Sequence, residues 1–231
     1  MTPRVAALRR YPVKAMGGEW LRTVDLDDRG LVGDRWFAVT DHDGRFAALK
    51  DTRRFRRRDR VADYRASTTG DSVTVSCGEE RWTVGDPQLD EHLSARLGAR
   101  VSVTAEDTTP HQDMGAVSLI GSATLQWCAE RWGPVGDARR LRANVVVETA
   151  TPFEEEDWVG SRVTLGTAVL RVVERVPRCR VIDVAQDGVV PKARWLKDAG
   201  KERDLCLAVY ADVIEPGVIT LHDRVLTSPR S

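Results

Sequence analysis

Sulfur and histidine are sparse in this chain. Its four cysteines, Cys77, Cys128, Cys179 and Cys206, are scattered through 231 residues, and none forms a CxxC pair. That spacing speaks against a disulfide framework and favours a reducing cytoplasm. It also lacks the C-x4-C-x2-C run of a plant-type iron–sulfur protein. There are four histidines, without an HxH or HExxH pattern, so the usual zinc-ligand spacings are missing. Charge of one sign is lacking too. Lys plus Arg and Asp plus Glu both total 35, so no global field draws the protein to nucleic acid or membrane, and any anion site must be local. No apolar stretch approaches the roughly 18 residues of a membrane helix. The opening segment MTPRVAALRRYPVK has no signal-peptide core. The expectation is a soluble cytoplasmic protein with no nucleic-acid or membrane partner.

What is present reads as short strands and turns. Hydrophobic residues make up 42% of the chain and charged residues 30%, with 18 Gly and 10 Pro, enough apolar material to build a core as one large domain or two small ones. Val5 to Tyr11, Trp20 to Leu26 and Arg35 to Thr40 read as strands, with Asp41 to Gly44 as a hairpin turn. Val73 to Ser76 and Trp82 to Val84 form another pair. Asp86-Pro87 opens a helix as cap and first-turn proline, Leu89, Leu93 and Leu97 share its apolar face, and Gly98 ends it. Residues 101–116 read as a connection between two halves. Ser122 to Trp132 reads as an amphipathic helix stopped by Gly133-Pro134. Strands return at Asn144 to Val147, Arg162 to Leu165, Val169 to Val173, Arg180 to Val184, Leu205 to Val213 and Gly217 to Leu221, with a turn at Glu215-Pro216-Gly217 joining the final pair. The spacing predicts a mainly β (α+β) fold, barrel or sandwich, with a few short helices.

Five segments carry candidate chemistry. Cys179 stands between Arg178 and Arg180, and neighbouring cations favour the reactive, metal-binding thiolate. On a strand, however, adjacent side chains face opposite ways, so a plain buried Cys beside solvated arginines is the alternative. Cys77, Cys128 and Cys206 lie on apolar patterns and read as core. Tyr11-Pro12-Val13-Lys14 puts Lys14 at a strand's mouth, as a phosphate contact or a surface Lys. Gly30-Leu31-Val32-Gly33-Asp34-Arg35 offers backbone N–H groups beside Arg35. It has neither Walker nor Rossmann spacing, and Asp34 could simply pair with Arg35. The Arg139 to Asn144 run suits a bidentate grip on phosphate or a solvated face. Arg53 to Arg60, with Phe55 inside it, is an exposed basic loop or a nucleic-acid contact. Glu154 to Asp157 reads as an acidic surface loop.

Taken in order, these pieces resemble the MOSC family. RRYPVKAMGGEWL, RGLVGDRWFAV and DHDGRFAALK are similar to its N-terminal β-barrel domain. RLRANVVVE, FEEEDWVGSRVTLG, VPRCRVIDV and YADVIEPGVITLHDRV are similar to the MOSC domain proper. The resemblance implies a two-part β-barrel fold, 1–105 and 106–231, with a molybdenum–pterin cofactor between the parts. It implies that Cys179 ligates molybdenum, a role that suits a soft thiolate. Lys14 and Arg35 would contact the pterin phosphate, and Arg142, Asn144 and Arg178 would lie beside the cofactor. Three positions depart from the family pattern: Ala15 for Ser, Lys50 for Arg, and Ile182 for Thr, followed by Asp183 as a candidate proton donor. The implied activity is reduction of a small N-hydroxylated substrate, as in amidoxime-reducing components and hydroxylaminopurine reductases. With no flavin or iron–sulfur motif, electrons would come from a separate ferredoxin or flavin reductase. Neither a ferredoxin domain nor a pyridoxal-phosphate desulfurase domain is expected. The rival readings are a sulfur carrier using a Cys179 persulfide and a non-catalytic basic-loop binding module.

Overall fold

The computed structural model describes residues 2–133, 137–189 and 194–228. Its largest sheet has eight strands. In hydrogen-bonded order they are Val225–Ser228, Arg162–Leu165, Ala168–Pro177, Cys206–Glu215, Val117–Gly121, Val145–Val147, Val5–Arg10 and Glu19–Leu21. Val117–Gly121 lies inside this sheet, antiparallel to one neighbour and parallel to the other, and all five residues are buried. Such a strand needs a mostly apolar run rather than alternation, and in VSLIG the one polar side chain, Ser118, is satisfied by Asn144. The Val5–Arg10 strand sends Val5 and Leu8 into a core shared with Leu119, Val145, Leu170 and Val209.

A second body is built by Val101–Ala105, Phe37–Asp41, Phe46–Ala48 and Phe55–Arg57, next to a three-stranded meander of Glu80–Thr83, Ser72–Cys77 and Arg65–Thr69. Its core gathers Val39, Leu49, Val61, Tyr64, Val75, Leu89 and Leu93. A third small sheet pairs Gly217–Thr220 with Thr23–Asp27, and the latter with Gly30–Leu31. The fold is therefore mainly β. The strand orders are linear, so no sheet closes into a barrel among the described residues. The division at 105/106 separates the halves in sequence but not in space, because Val5–Arg10 and Thr23–Asp27 pair with strands from beyond residue 144.

The two expected helices form as their caps dictate. Asp86 Oδ1 accepts from Gln88 N at 2.9 Å, and Gly98 closes Pro87–Leu97 in the left-handed conformation. Ser122–Trp132 ends at Gly133, while Pro134 lies outside the described residues.

Other expectations fail for local reasons. Val101–Ala105 is no connection, since it pairs with Phe37–Asp41 over five residues. Arg180 to Val184 is not a strand but a 3-10 turn over Arg180–Asp183. The preceding ladder ends at Pro177, which has no N–H to extend it. Gly217–Thr220 pairs with Thr23–Asp27 and not with the strand before the Glu215-Pro216-Gly217 turn. Glu154–Trp158 is a 3-10 turn that buries Glu155, whose Oε2 accepts from Thr124 Oγ1 at 2.9 Å. Trp195–Glu202 forms a helix that the chain's pattern did not announce. Cys128 is buried as expected, but Cys77 and Cys206 are half-buried.

Candidate functional site

A cleft of about 580 Å³ lies where the two bodies meet. The residues at its floor come from turns that end strands. Pro12 interrupts the first strand, Lys14 N donates to Phe37 O at 2.8 Å, and Arg35 N donates to Tyr11 O at 2.8 Å. Asp34 Oδ1 clamps the same turn by accepting from Tyr11 N at 2.8 Å. Three cleft residues, Ala15, Arg35 and Arg142, have φ of 66°, 54° and 53°. A side chain in the left-handed region costs about 1–2 kcal/mol, so the surrounding contacts hold these turns in place.

Arg35 pairs with Asp34 and donates to Asn144 Oδ1 at 3.2 Å and Arg142 O at 3.3 Å. Burial opposes its charge, but Asp34 outweighs burial and raises the Arg35 pKa. Asn144 is buried, and its side chain is spent on the fold. Its Oδ1 accepts from Ser118 Oγ at 2.9 Å, and its Nδ2 donates to Arg9 O at 3.2 Å. Arg142 donates from Nη1 to Met16 O at 2.8 Å and lies 4.2 Å from the Tyr11 ring centroid. Its buried Nη2 has no hydrogen-bond partner among the described residues. Burial pulls the Arg142 pKa down, and Arg35 adds to that.

Lys14 and Lys50 converge on one carboxylate. Lys14 Nζ donates to Asp113 Oδ1 and His111 O, both at 2.6 Å, and Lys50 Nζ donates to Asp113 Oδ2 at 2.9 Å. Both ammonium groups also lie over the Phe55 ring, at 4.3 and 5.1 Å. Burial pulls the Lys14 pKa down to about 8 against the pull of Asp113. Burial would raise the Asp113 pKa, yet the two lysines hold it well below the usual carboxylate range.

Cys179 is half-buried, lines the cleft, and starts the 3-10 turn. Its flanking arginines reach away in opposite directions. Arg178 donates to Leu207 O at 2.9 and 2.5 Å and to Leu141 O at 2.9 Å. Arg180 donates to Leu49 O and, at 2.8 Å, to Asp59 Oδ1. One arginine thus ties the thiol's segment to the large sheet and the other ties it to the second body. The thiol itself has no hydrogen bond among the described residues.

Lys14, Arg35, Arg142, Asn144, Arg178 and Cys179 all line the cleft. Asp183 does not: its Oδ1 accepts from Leu196 N at 3.1 Å and caps the Trp195–Glu202 helix. Reading the chain as a strand at 180–184 obscured this, since a 3-10 turn points the carboxylate elsewhere. Sequence reasoning missed Asp113, Ser118 and Tyr210, which also line the cleft. Asp113 and Ser118 sit in no motif, and Tyr210 opens the YADVIEPGVITLHDRV segment without a signal that marks it as a site residue. Three of the six arginines in the Arg53 to Arg60 run are paired with carboxylates: Arg56 meets Asp43 at 3.0 Å, Arg57 meets Asp59 at 2.6 Å and Arg58 meets Asp41 at 3.8 Å.

The donor set fits a molybdenum–pterin group. The sulfur of Cys179, a soft donor, lines the cleft beside the cations, and Arg142 Nη2 has no partner among the described residues. Among the described residues no group of three or more His, Cys, Asp or Glu converges. A metal at Cys179 would therefore take its other donors from a bound cofactor. No helix among the described residues is long and apolar enough to cross a membrane.

The MOSC domain matches residues 106–226, and the MOSC N-terminal beta barrel domain matches residues 2–130. Molybdenum cofactor sulfurase 3 of Aedes aegypti is 32% identical over 94 residues, which cover 36% of this chain and 12% of that protein. The chain thus spans about an eighth of this curated relative's length. The crystal structure of the YUAD protein from Bacillus subtilis superposes with a TM-score of 0.50 at 14% identity, covering 97% of this chain and 94% of that one. YiiM from Escherichia coli gives a TM-score of 0.44 at 12% identity, covering 99% and 71%. At 14% identity the likeness to the YUAD protein speaks to fold alone.

Proposed function

Because this chain belongs to the MOSC family, we propose that it binds a molybdenum–pterin cofactor in the cleft and reduces N-hydroxylated compounds in the cytoplasm. The observation that carries the reading is Cys179 in one cleft with Lys14, Arg35 and an Arg142 Nη2 that has no partner among the described residues. When bound, the cofactor would supply two-electron redox chemistry at a metal ligated by the Cys179 thiolate. Lys14 and Lys50 would take its phosphate, Arg142 would donate to it from Nη2, and Arg35 and Asn144 would keep the turns around it rigid. Arg178 acts as a positioning residue, because its guanidinium holds the Cys179 segment to Leu207 and Leu141.

The overall change is R–NH–OH + 2e⁻ + 2H⁺ → R–NH₂ + H₂O. The N–O bond breaks, nitrogen is reduced, and the electrons come from a separate ferredoxin or flavin reductase. Protons must reach the departing oxygen inside the cleft. Burial raises the Tyr210 phenol pKa, with Arg178 opposing it, so Tyr210 Oη stays protonated at neutral pH and serves as the donor. Asp183, which caps a helix outside the cleft, has no part in this step.

A sulfur carrier is the second reading, favoured by the half-buried Cys179 thiol, which no hydrogen bond holds among the described residues. There a donor persulfide would pass its outer sulfur to the Cys179 thiolate and leave as a thiolate. Metal and pterin analysis of protein made in a cofactor-competent host decides between them. Near-stoichiometric molybdenum and pterin, lost in Cys179→Ala, is the expected result. A labile addition of about 32 Da on Cys179 without molybdenum would overturn it.

A further inference from the structure

Eight Lys or Arg side chains line the cleft against a single carboxylate, Asp113, among the described residues. That carboxylate sits where the most buried ammonium group needs an anion. Lys14 is 8% exposed and Asp113 39%, so the pair runs from the interior outward and the acid has an open way to solvent. A carboxylate and a phosphate are both acceptor-only anions that bind ammonium groups through charge-assisted hydrogen bonds. We propose that Asp113 is a built-in stand-in for a ligand's phosphate, and that a phosphate monoester enters by exchanging with it on Lys14 and Lys50. The proposal leans on the reading above only for the ligand's identity. The class of ligand follows from the lysine pair.

The exchange is a side-chain rotation, because the backbone around Asp113 is pinned. Arg54 donates to Pro110 O at 3.1 Å and to Asp113 O at 3.0 Å. Glu106 accepts from His111 N at 2.6 Å. Gly115 lies so close to the Tyr210 ring that a Cβ there would stand 2.6 Å from it. The rotation keeps the site's charge balanced. A buried ammonium left without an anion is costly. The Asp113 carboxylate holds Lys14 in its charged form until phosphate arrives, and then rotates out to water.

Calorimetric titration with inorganic phosphate at constant ionic strength tests this on the cofactor-free full chain. Removing the competitor with Asp113→Asn should tighten binding by about tenfold, the scale of one charge-assisted hydrogen bond. Adding Lys14→Met should erase that gain. Unchanged or weaker binding by Asp113→Asn overturns the proposal. Should that variant misfold, the wild type still decides. Carboxyl NMR of Asp113 under saturating sulfate should show its pKa returning to the ordinary range. A pKa that stays depressed with the anion bound overturns the exchange. Failure of the functional reading looks different. Phosphate affinity gained by Asp113→Asn in a protein that never retains molybdenum overturns the function and leaves the exchange standing. Full cofactor retention with no gain overturns the exchange alone.

Discussion

Tyr11 lies fully buried beneath the cleft with three guanidinium groups around its ring. The Arg142, Arg35 and Arg9 Cζ atoms stand 4.2, 4.7 and 5.4 Å from the ring centroid. Its hydroxyl has no hydrogen-bond partner among the described residues. The aromatic face, not the hydroxyl, is therefore what the site uses. Tyr11→Phe keeps the face and removes a buried, unbonded oxygen, so the change should lie within about 0.5 kcal/mol of neutral. Tyr11→Leu keeps an apolar side chain but removes the ring. Three partly desolvated cation–π contacts at about 0.5–1 kcal/mol each, together with the lost volume, predict a cost of about 2–4 kcal/mol. Urea unfolding of the cofactor-free protein reads both differences from the midpoint at constant slope. A double-mutant cycle of Tyr11→Leu with Arg142→Met should return a coupling of about 1 kcal/mol. If Tyr11→Phe costs as much as Tyr11→Leu, the hydroxyl is bonded and the account of the ring as a platform for cations is wrong.

Arg9 and Asp187 form a buried pair, and Gly18 O also accepts from Arg9 Nη2 at 2.9 Å. Arg9→Met should cost about 3–5 kcal/mol in urea unfolding, because it strands a buried carboxylate. A loss under about 1 kcal/mol would mean that Arg65, 3.1 Å from Asp187, suffices alone. Lys14 gives a pH signature with a definite sign. Burial lowers its folded pKa from 10.5 to about 8, so between those values the unfolded chain binds more protons. The Lys14 contribution to stability therefore rises as pH increases across that window. Wild-type stability measured relative to Lys14→Met should climb from pH 8 to 10.5, and a flat difference would refute the burial argument.

Much of the fold was legible where local chemistry decides it. Asp86-Pro87 and Gly98 announced their helix, and Ser122 to Trp132 was legible to the residue at both ends. Arg162–Leu165 was equally clear, from alternation bounded by glycines. Errors gathered where distant partners override local pattern. Val101–Ala105 looks like a tether until Phe37–Asp41 is beside it. The 180–184 segment has the β-branched content of a strand, but Pro177 ends the ladder and Arg178 and Arg180 pull to opposite bodies. The cationic side of the site was legible in short motifs at turns. Asp113 and Tyr210 were not, because each matters through neighbours that local pattern does not bring together, Lys14 and Lys50 for the one and Arg178 for the other.

The same logic explains why strain collects at the cleft. Ala15, Arg35 and Arg142 are left-handed, and none is a glycine. A glycine would relieve each turn at the backbone, but at 35 and 142 it would delete the cation. The site accepts a local cost to place positive charge facing inward, and Arg142 Nη2 has no acceptor among the described residues. Both costs are recovered only when an anion binds, so ligand affinity for the folded state should appear directly as stability. A cleft of this kind should unfold at a higher temperature with phosphate than with chloride at matched ionic strength, and the increment should vanish in Lys14→Met. An increment that survives Lys14→Met would place the stabilising anion on some other part of the surface.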